Sequence, residues 1–136
     1  MKKQRTWVYS PKPASSVPRP VKESLTVAAN EIVETAFKPE YLKPLPKESH
    51  FNHIVDIYVQ WRGHCLLFRS KYACLGPNAL SPFFESSFAR IACMANGTFD
   101  VAYMRHTGKW WTVYTGLSQD EALATIRDEI IFHPSG

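Results

Sequence analysis

Positive charge and proline are concentrated at the N-terminus, and this segregation is the feature that most constrains the fold. Residues 1–22 contain six Lys or Arg residues and no Asp or Glu, whereas the remaining 114 residues contain ten basic residues and all 12 acids. Four prolines lie in the same N-terminal stretch. Because such a segment repels itself and cannot bury a core, we predict a flexible basic, Pro-rich arm over residues 1–20. The rest of the chain, residues 21–136, is then a single folded domain.

The folded part is long enough to form one domain of ordinary size. Hydrophobic residues make up 45% of the chain and aromatic residues 13%, which is more than a disordered chain carries. The chain has no apolar run long enough to span a membrane and no signal peptide, so we expect a cytoplasmic protein without membrane contact. Its three cysteines form no C-x-x-C pair, which indicates reduced thiols and neither a disulfide framework nor a zinc ribbon.

Helical periodicity follows the arm. Apolar residues recur at helical spacing between Val21 and Ala36, and this pattern predicts a first helix over residues 20–37. A proline disfavours helix at the residue that precedes it, so the helix is expected to end before Pro39. Further prolines downstream predict an extended linker over residues 38–49.

A second helix is predicted at the C-terminus. Ser118 and Glu121 have the spacing of a capping box, in which two side chains satisfy free backbone N–H groups at the start of a helix. The apolar stripe of this helix is predicted to consist of Leu123, Ile126 and Ile130.

Between the helices, apolar and polar side chains alternate, as expected for half-buried strands. The five predicted strands cover residues 51–61, 64–72, 87–95, 98–106 and 109–115. In the first strand Val55 and Ile57 are predicted to share a face, and Asn96-Gly97 predicts a two-residue turn with both residues at positive φ. Residues 73–86 are predicted to form a long loop.

Strands joined by short turns must pair antiparallel, because parallel neighbours need a crossover of a dozen or more residues. We therefore predict an α+β fold in which a five-stranded antiparallel sheet has one face covered by the N-terminal and C-terminal helices. Trp110 and Trp111 are adjacent on the last strand and must point to opposite faces of it.

Short segments with aromatic and basic residues stand out in the second half of the chain. They are Phe88-Ala89-Arg90, Tyr103 to Gly108, Trp110-Trp111, Tyr114 to Ser118 and Ile126-Arg127-Asp128. Together they resemble an uncharacterised family of short bacterial proteins, a domain of unknown function, whose members begin with an arm like that of Arg5–Pro11. The resemblance spans nearly the whole chain. It implies a single domain and assigns no catalytic residue.

The composition of the arm indicates the class of its partner. Cations interspersed with aromatic residues contact phosphates and stack on bases in proteins that bind single-stranded nucleic acid. The predicted contacts are Lys2, Lys3, Arg5, Lys12 and Arg19 for phosphates, Trp7 and Tyr9 for bases, and Arg105 with Lys109 as a second anchor. We expect a non-enzymatic protein that engages nucleic acid or a nucleoprotein assembly, although a solubilising tail has the same composition.

Two alternatives come from other functional classes. A small enzyme or ligand-binding protein would have its pocket near the 73–86 loop, close to Asp56, Glu85 and His106. A self-association module would exchange the strand Thr6–Tyr9 between two subunits of a homodimer. The chain contains no Gly-rich phosphate loop or dinucleotide fingerprint, and the spacing of its His and Cys residues matches no zinc pattern. We therefore expect no cofactor and no metal, and we assign no catalytic residue.

Overall fold

Five antiparallel strands form one sheet in which spatial order follows chain order. The computed structural model describes residues 11–42, 53–73 and 82–134. The strands are β1 (His53–Arg62), β2 (Cys65–Ala73), β3 (Phe83–Cys93), β4 (Phe99–Met104) and β5 (Trp110–Leu117). Two main helices, α1 (Arg19–Ile32) and α3 (Gln119–Asp128), share one core cluster with the sheet. This arrangement confirms the predicted α+β class with one helix from each end of the domain.

The core lies between the helices and one face of the sheet. Its largest fully buried side chains include Phe37, Phe68 and Phe132. Phe37 lies at the centre of the aromatic contacts, because its ring packs edge-on against Phe68 at 6.2 Å and against Phe88 at 5.7 Å. The helical segment after α1 is thereby held against the middle of the sheet.

The N-terminal helical segment is longer than predicted. A π turn (Val33–Phe37) follows α1, and a short helix α2 (Lys38–Tyr41) follows the turn, so the extended linker predicted from residue 38 is wrong over its first four residues. The N–H of Lys38 donates to the carbonyl of Val33, five residues back. This wider turn begins a new helical register in which Pro39 occupies the first turn of α2, where its missing N–H costs nothing.

The turn between β3 and β4 has a different geometry from the predicted one. Gly97 has a φ of 84°, and within the described residues no non-glycine residue has a positive φ, so the prediction for Asn96 is wrong. The side-chain oxygen of Asn96 accepts hydrogen bonds from both the backbone N–H and the hydroxyl of Thr98. Such a local side-chain bond stabilises a turn by itself, and Gly97 alone takes up the left-handed conformation.

Strand β1 changes register at a β-bulge. Ile54 is opposite Tyr72 and Asp56 is opposite Lys71, which leaves Val55 as the extra residue. Ile54 and Ile57 are buried and Val55 is exposed, so the prediction that Val55 shares a face with Ile57 is wrong. A bulge adds one residue to a strand and reverses the alternation on one side of it.

Strand β3 begins at Phe83, so residues 83–86 of the predicted long loop belong to the sheet. Residues 74–81 lie outside the described part of the chain. At the other end of the domain, the predicted capping box of Ser118 and Glu121 is confirmed. The predicted stripe of α3 is wrong at one position: Ile130 is 78% exposed, and Phe132, in the short 3-10 turn Ile130–Phe132, is fully buried in its place.

Candidate nucleic-acid interface

The chain that leads into α1 is fixed to the edge of a hairpin. Residues 12–14 run antiparallel to residues 93–95, and the N–H of Ala14 donates to the carbonyl of Cys93 at 3.0 Å. A second bond runs from the N–H of Ala95 to the carbonyl of Lys12 at 2.8 Å. The predicted arm is therefore anchored beside the turn between β3 and β4.

Most of the predicted arm contacts precede this anchor. Lys2, Lys3, Arg5, Trp7 and Tyr9 lie outside the described residues, as does the segment Thr6–Tyr9 of the self-association alternative. Lys12 and Arg19 are described and exposed. Arg19 forms an ion pair with Glu23 at 2.9 Å on α1, so its charge is partly matched within the helix.

The turn between β4 and β5 carries the predicted second anchor. The guanidinium of Arg105 lies over the ring of Trp111, 5.0 Å from its centroid, and Trp111 is 47% exposed. Lys109 and His106 are exposed in the same turn. In the described part of the chain, no carboxylate forms an ion pair with these three basic side chains. The turn therefore presents cations and an aromatic ring to the surroundings.

Cations also lie over aromatic rings on the face of the sheet that points away from the helices. Trp110 lies beneath the guanidinium of Arg90 at 4.9 Å, and Lys71 lies over Phe83 at 4.8 Å. Trp110 is opposite Met104, whereas Trp111 is opposite Tyr103, which confirms that the two tryptophans point to opposite faces.

The arm anchor and the β4–β5 turn lie at opposite ends of the sheet. Strand β4 runs from the β3–β4 turn to the β4–β5 turn over six residues, which corresponds to about 20 Å. Ten extended residues reach at most about 35 Å, so residues 1–10 are long enough to bridge this distance.

A groove of about 720 Å³ opens on the helix side of the sheet, next to the β4–β5 turn. Phe84 of β3 forms part of its wall and stacks on Tyr72, with 4.7 Å between ring centroids and 10° between ring planes. Ile130 and Ile131, both exposed, line the groove where the chain leaves α3. Sequence reasoning assigned none of these four residues to a site, and it placed Ile130 in the buried stripe of α3.

The groove is lined by basic side chains together with neutral polar ones, among them Ser86 and Ser87. Arg105, His106 and His133 line it, and no Asp or Glu is among its described lining residues. Both ring nitrogens of His133 are already hydrogen-bonded within the domain. Its Nε2 donates to the carbonyl of Arg127, and its Nδ1 accepts from the hydroxyl of Tyr41, both at 2.8 Å. Among the described residues, no side-chain hydrogen bond engages Arg105 or His106, and the guanidinium of Arg105 lies over the ring of Trp111.

Two of the three residues of the alternative pocket lie at one level of the sheet, because Asp56 of β1 and Glu85 of β3 are both opposite Lys71 of β2. Asp56 accepts a hydrogen bond from the N–H of Ile57 and lies 3.7 Å from the ammonium of Lys38. Glu85 accepts a hydrogen bond from the hydroxyl of Tyr58. His106 alone of the three predicted residues lines the groove.

Two buried cysteines, Cys65 and Cys93, have free thiols, and Cys74 lies outside the described residues. Burial, with the nearby Cys65 thiol as a smaller cause, raises the pKa of Cys93 to about 11. Burial also raises the pKa of Cys65. Among the residues that the structure describes, no group of three His, Cys, Asp or Glu side chains has the arrangement of a metal site.

The buried thiols should be unreactive in the folded protein. At pH 8 we expect iodoacetamide to modify Cys65 and Cys93 only after denaturation, because the thiolate is the nucleophile; mass spectrometry of tryptic peptides measures this. Rapid modification of Cys93 in the native protein would contradict its burial. Since the folded-state pKa of Cys93 exceeds its usual value of 9.0, its contribution to stability should be present below pH 9 and lost as the pH rises through 11.

Within residues 11–42, 53–73 and 82–134, no helix is both long and apolar enough to cross a membrane. No curated protein and no solved structure matches the chain. A family match covers residues 19–134, which comprise both main helices and all five strands. The chain therefore belongs to the family described as Domain of unknown function (DUF3024).

Proposed function

We propose that this protein is a non-enzymatic binding protein that engages nucleic acid or a nucleoprotein assembly through its basic arm. The observation that carries the proposal is the charge of residues 1–22, which hold six Lys or Arg residues and no acid. Phosphate backbones attract such a segment whatever their base sequence, because the released counterions provide the free energy. The proposed setting is the cytoplasm of a bacterium.

The β4–β5 turn supports the proposal with a second basic surface. Arg105 stacks on the exposed Trp111, and Lys109 lies in the same turn without an ion-pairing carboxylate in the described residues. Arginine on an aromatic ring offers N–H donors to phosphates while the ring stacks on bases. Because the arm anchor and this turn are about 20 Å apart along the sheet, a strand of several nucleotides would contact both.

The structure also indicates where the arm can be removed. Residues 12–14 are hydrogen-bonded to the end of β3, and α1 begins at Arg19. A deletion of residues 1–20 would therefore damage the fold as well as the arm, whereas a chain that begins at residue 11 keeps these bonds. The shorter deletion separates binding from stability.

Fluorescence anisotropy with a labelled 20-nucleotide single strand tests the proposal. We expect the full chain to bind tightly at 50 mM salt and much more weakly at 300 mM, and the chain starting at residue 11 to bind weakly at both. Equal affinity of the full chain at the two salt concentrations would contradict a phosphate-driven interaction. If truncation instead converts a dimer to a monomer, and neither form binds the strand, the arm serves self-association.

A further inference from the structure

We infer that the groove beside the β4–β5 turn is a binding site for one nucleotide, with its base on Phe84 and its phosphate at Arg105. The nucleotide is either a free mononucleotide or an unpaired residue of a longer strand. If the nucleotide belongs to a longer strand, the inference rests on the proposed function. If it is a free mononucleotide, the inference is independent of that function.

Phe84 has the geometry of a stacking platform. One face of its ring is occupied by Tyr72, which lies parallel to it at 4.7 Å. Tyr72 is buried, whereas Phe84 is 41% exposed and borders the groove. A flat base placed on the open side would extend the stack by one ring, which is how aromatic side chains hold unpaired bases.

The phosphate position follows from the lining of the groove. Phe84 of β3 and Arg105, just past the end of β4, both border it. The guanidinium of Arg105 lies over Trp111 on the helix side of the sheet. A nucleotide whose base stacks on Phe84 would therefore extend along the groove with its phosphate toward this guanidinium.

Charge and shape complement such a ligand. The described lining of the groove contains Arg105 and His106 and no carboxylate, so an anion is favoured. A guanidinium forms two parallel hydrogen bonds to a phosphate. Ile130 and Ile131 supply apolar surface on which the sugar and the edge of the base can lie. The volume of about 720 Å³ lies within the range of small-ligand pockets.

Adjacent phenylalanines provide a matched pair of variants for the test. Phe83 and Phe84 are 47% and 41% exposed, and consecutive strand residues point to opposite faces of a sheet. We expect Phe84→Ala to weaken binding of adenosine monophosphate, measured by NMR titration, between about five-fold and about 150-fold, as for the loss of one stacking platform. Phe83→Ala should bind like the unmodified protein, and Phe84→Tyr should retain binding. Arg105→Gln should also weaken binding, whereas Arg62→Gln, at the exposed β1–β2 turn, should not.

A parallel titration with the 20-nucleotide strand distinguishes the two sources of the nucleotide. Mononucleotide binding that depends on Phe84 supports the groove even if no strand binds and the proposed function fails. If only the strand binds, and Phe84→Ala weakens it while Phe83→Ala does not, the groove holds an unpaired residue of the strand. If Phe84→Ala and Phe83→Ala affect both ligands equally, or if neither ligand binds, the inference is overturned. If binding of the 20-nucleotide strand is still lost when residues 1–10 are removed, the proposed function remains supported.

Discussion

Replacing Lys2, Lys3 and Arg5 together by glutamine should weaken binding to a single-stranded oligonucleotide by about two orders of magnitude at 50 mM salt. Each phosphate contact to a single strand contributes about 0.7 to the slope of log affinity against log salt concentration, so three lost contacts should flatten that slope by about 2. Anisotropy titrations at four or more salt concentrations measure both quantities. Because the three residues precede the hydrogen-bonded residues 12–14, the thermal stability of the domain should not change.

A second triple variant, Arg62→Gln, Lys71→Gln and Arg127→Gln, is the matched control. It removes the same formal charge from body positions outside the proposed interface. If binding depends only on the net charge of +4, both triple variants should lose equal affinity. A larger loss in the arm variant is expected, since its cations are not matched by nearby acids in the sequence. If the two triple variants show the same slope of log affinity against log salt concentration, a specific role of the arm is refuted.

Phe37→Ala should lower the free energy of unfolding by about 3 to 5 kcal/mol, the range for truncating a buried phenylalanine. The ring of Phe37 is 1% exposed and packs edge-on against Phe68, Phe88 and His133. Its removal leaves a cavity between the π turn and the sheet and removes these contacts. Urea denaturation followed by far-UV circular dichroism measures the loss.

Val27→Ala, on the exposed side of α1, is the control for this variant. Val27 is 69% exposed, and substitutions at exposed positions usually change stability by less than about 0.5 kcal/mol. A loss of under about 1 kcal/mol in Phe37→Ala would contradict the central position of the ring in the core.

The architecture was predictable because its signals are local. The capping box of Ser118 and Glu121 satisfies N–H groups within its own first turn, and it marks the start of α3 in any context. Short turns at three of the four connections leave antiparallel pairing as the only choice there. The predicted loop over residues 73–86 was long enough for a crossover, and the structure shows that β2 and β3 pair antiparallel. Order and class of the elements therefore follow from residues that are close together in the chain.

Apart from the turn at Asn96, where a local side-chain bond to Thr98 decides the geometry, the errors arose where packing overrides a local pattern. The bulge at Val55 lets Ile54 and Ile57 both reach the core, a choice that depends on the helices above the strand. Phe132 replaces Ile130 in the core because α3 ends at Asp128, and the next turn presents a different side chain to the sheet. The π turn before Pro39 similarly keeps Phe37 in contact with β2 and β3.

The sequence by itself determined the segregation of charge, the α+β class and the presence of cations beside tryptophan in the β4–β5 turn. Charge and periodicity are properties of neighbouring residues, and they are retained in any fold. Tertiary structure alone decided that Phe84 of β3, Arg105 of the β4–β5 turn and Ile131 near the C-terminus border one groove, and that Asp56 and Glu85 do not. The groove exists because strand register and the end of α3 bring together residues that are far apart in the chain. A pattern among neighbouring residues cannot predict that such distant residues lie side by side.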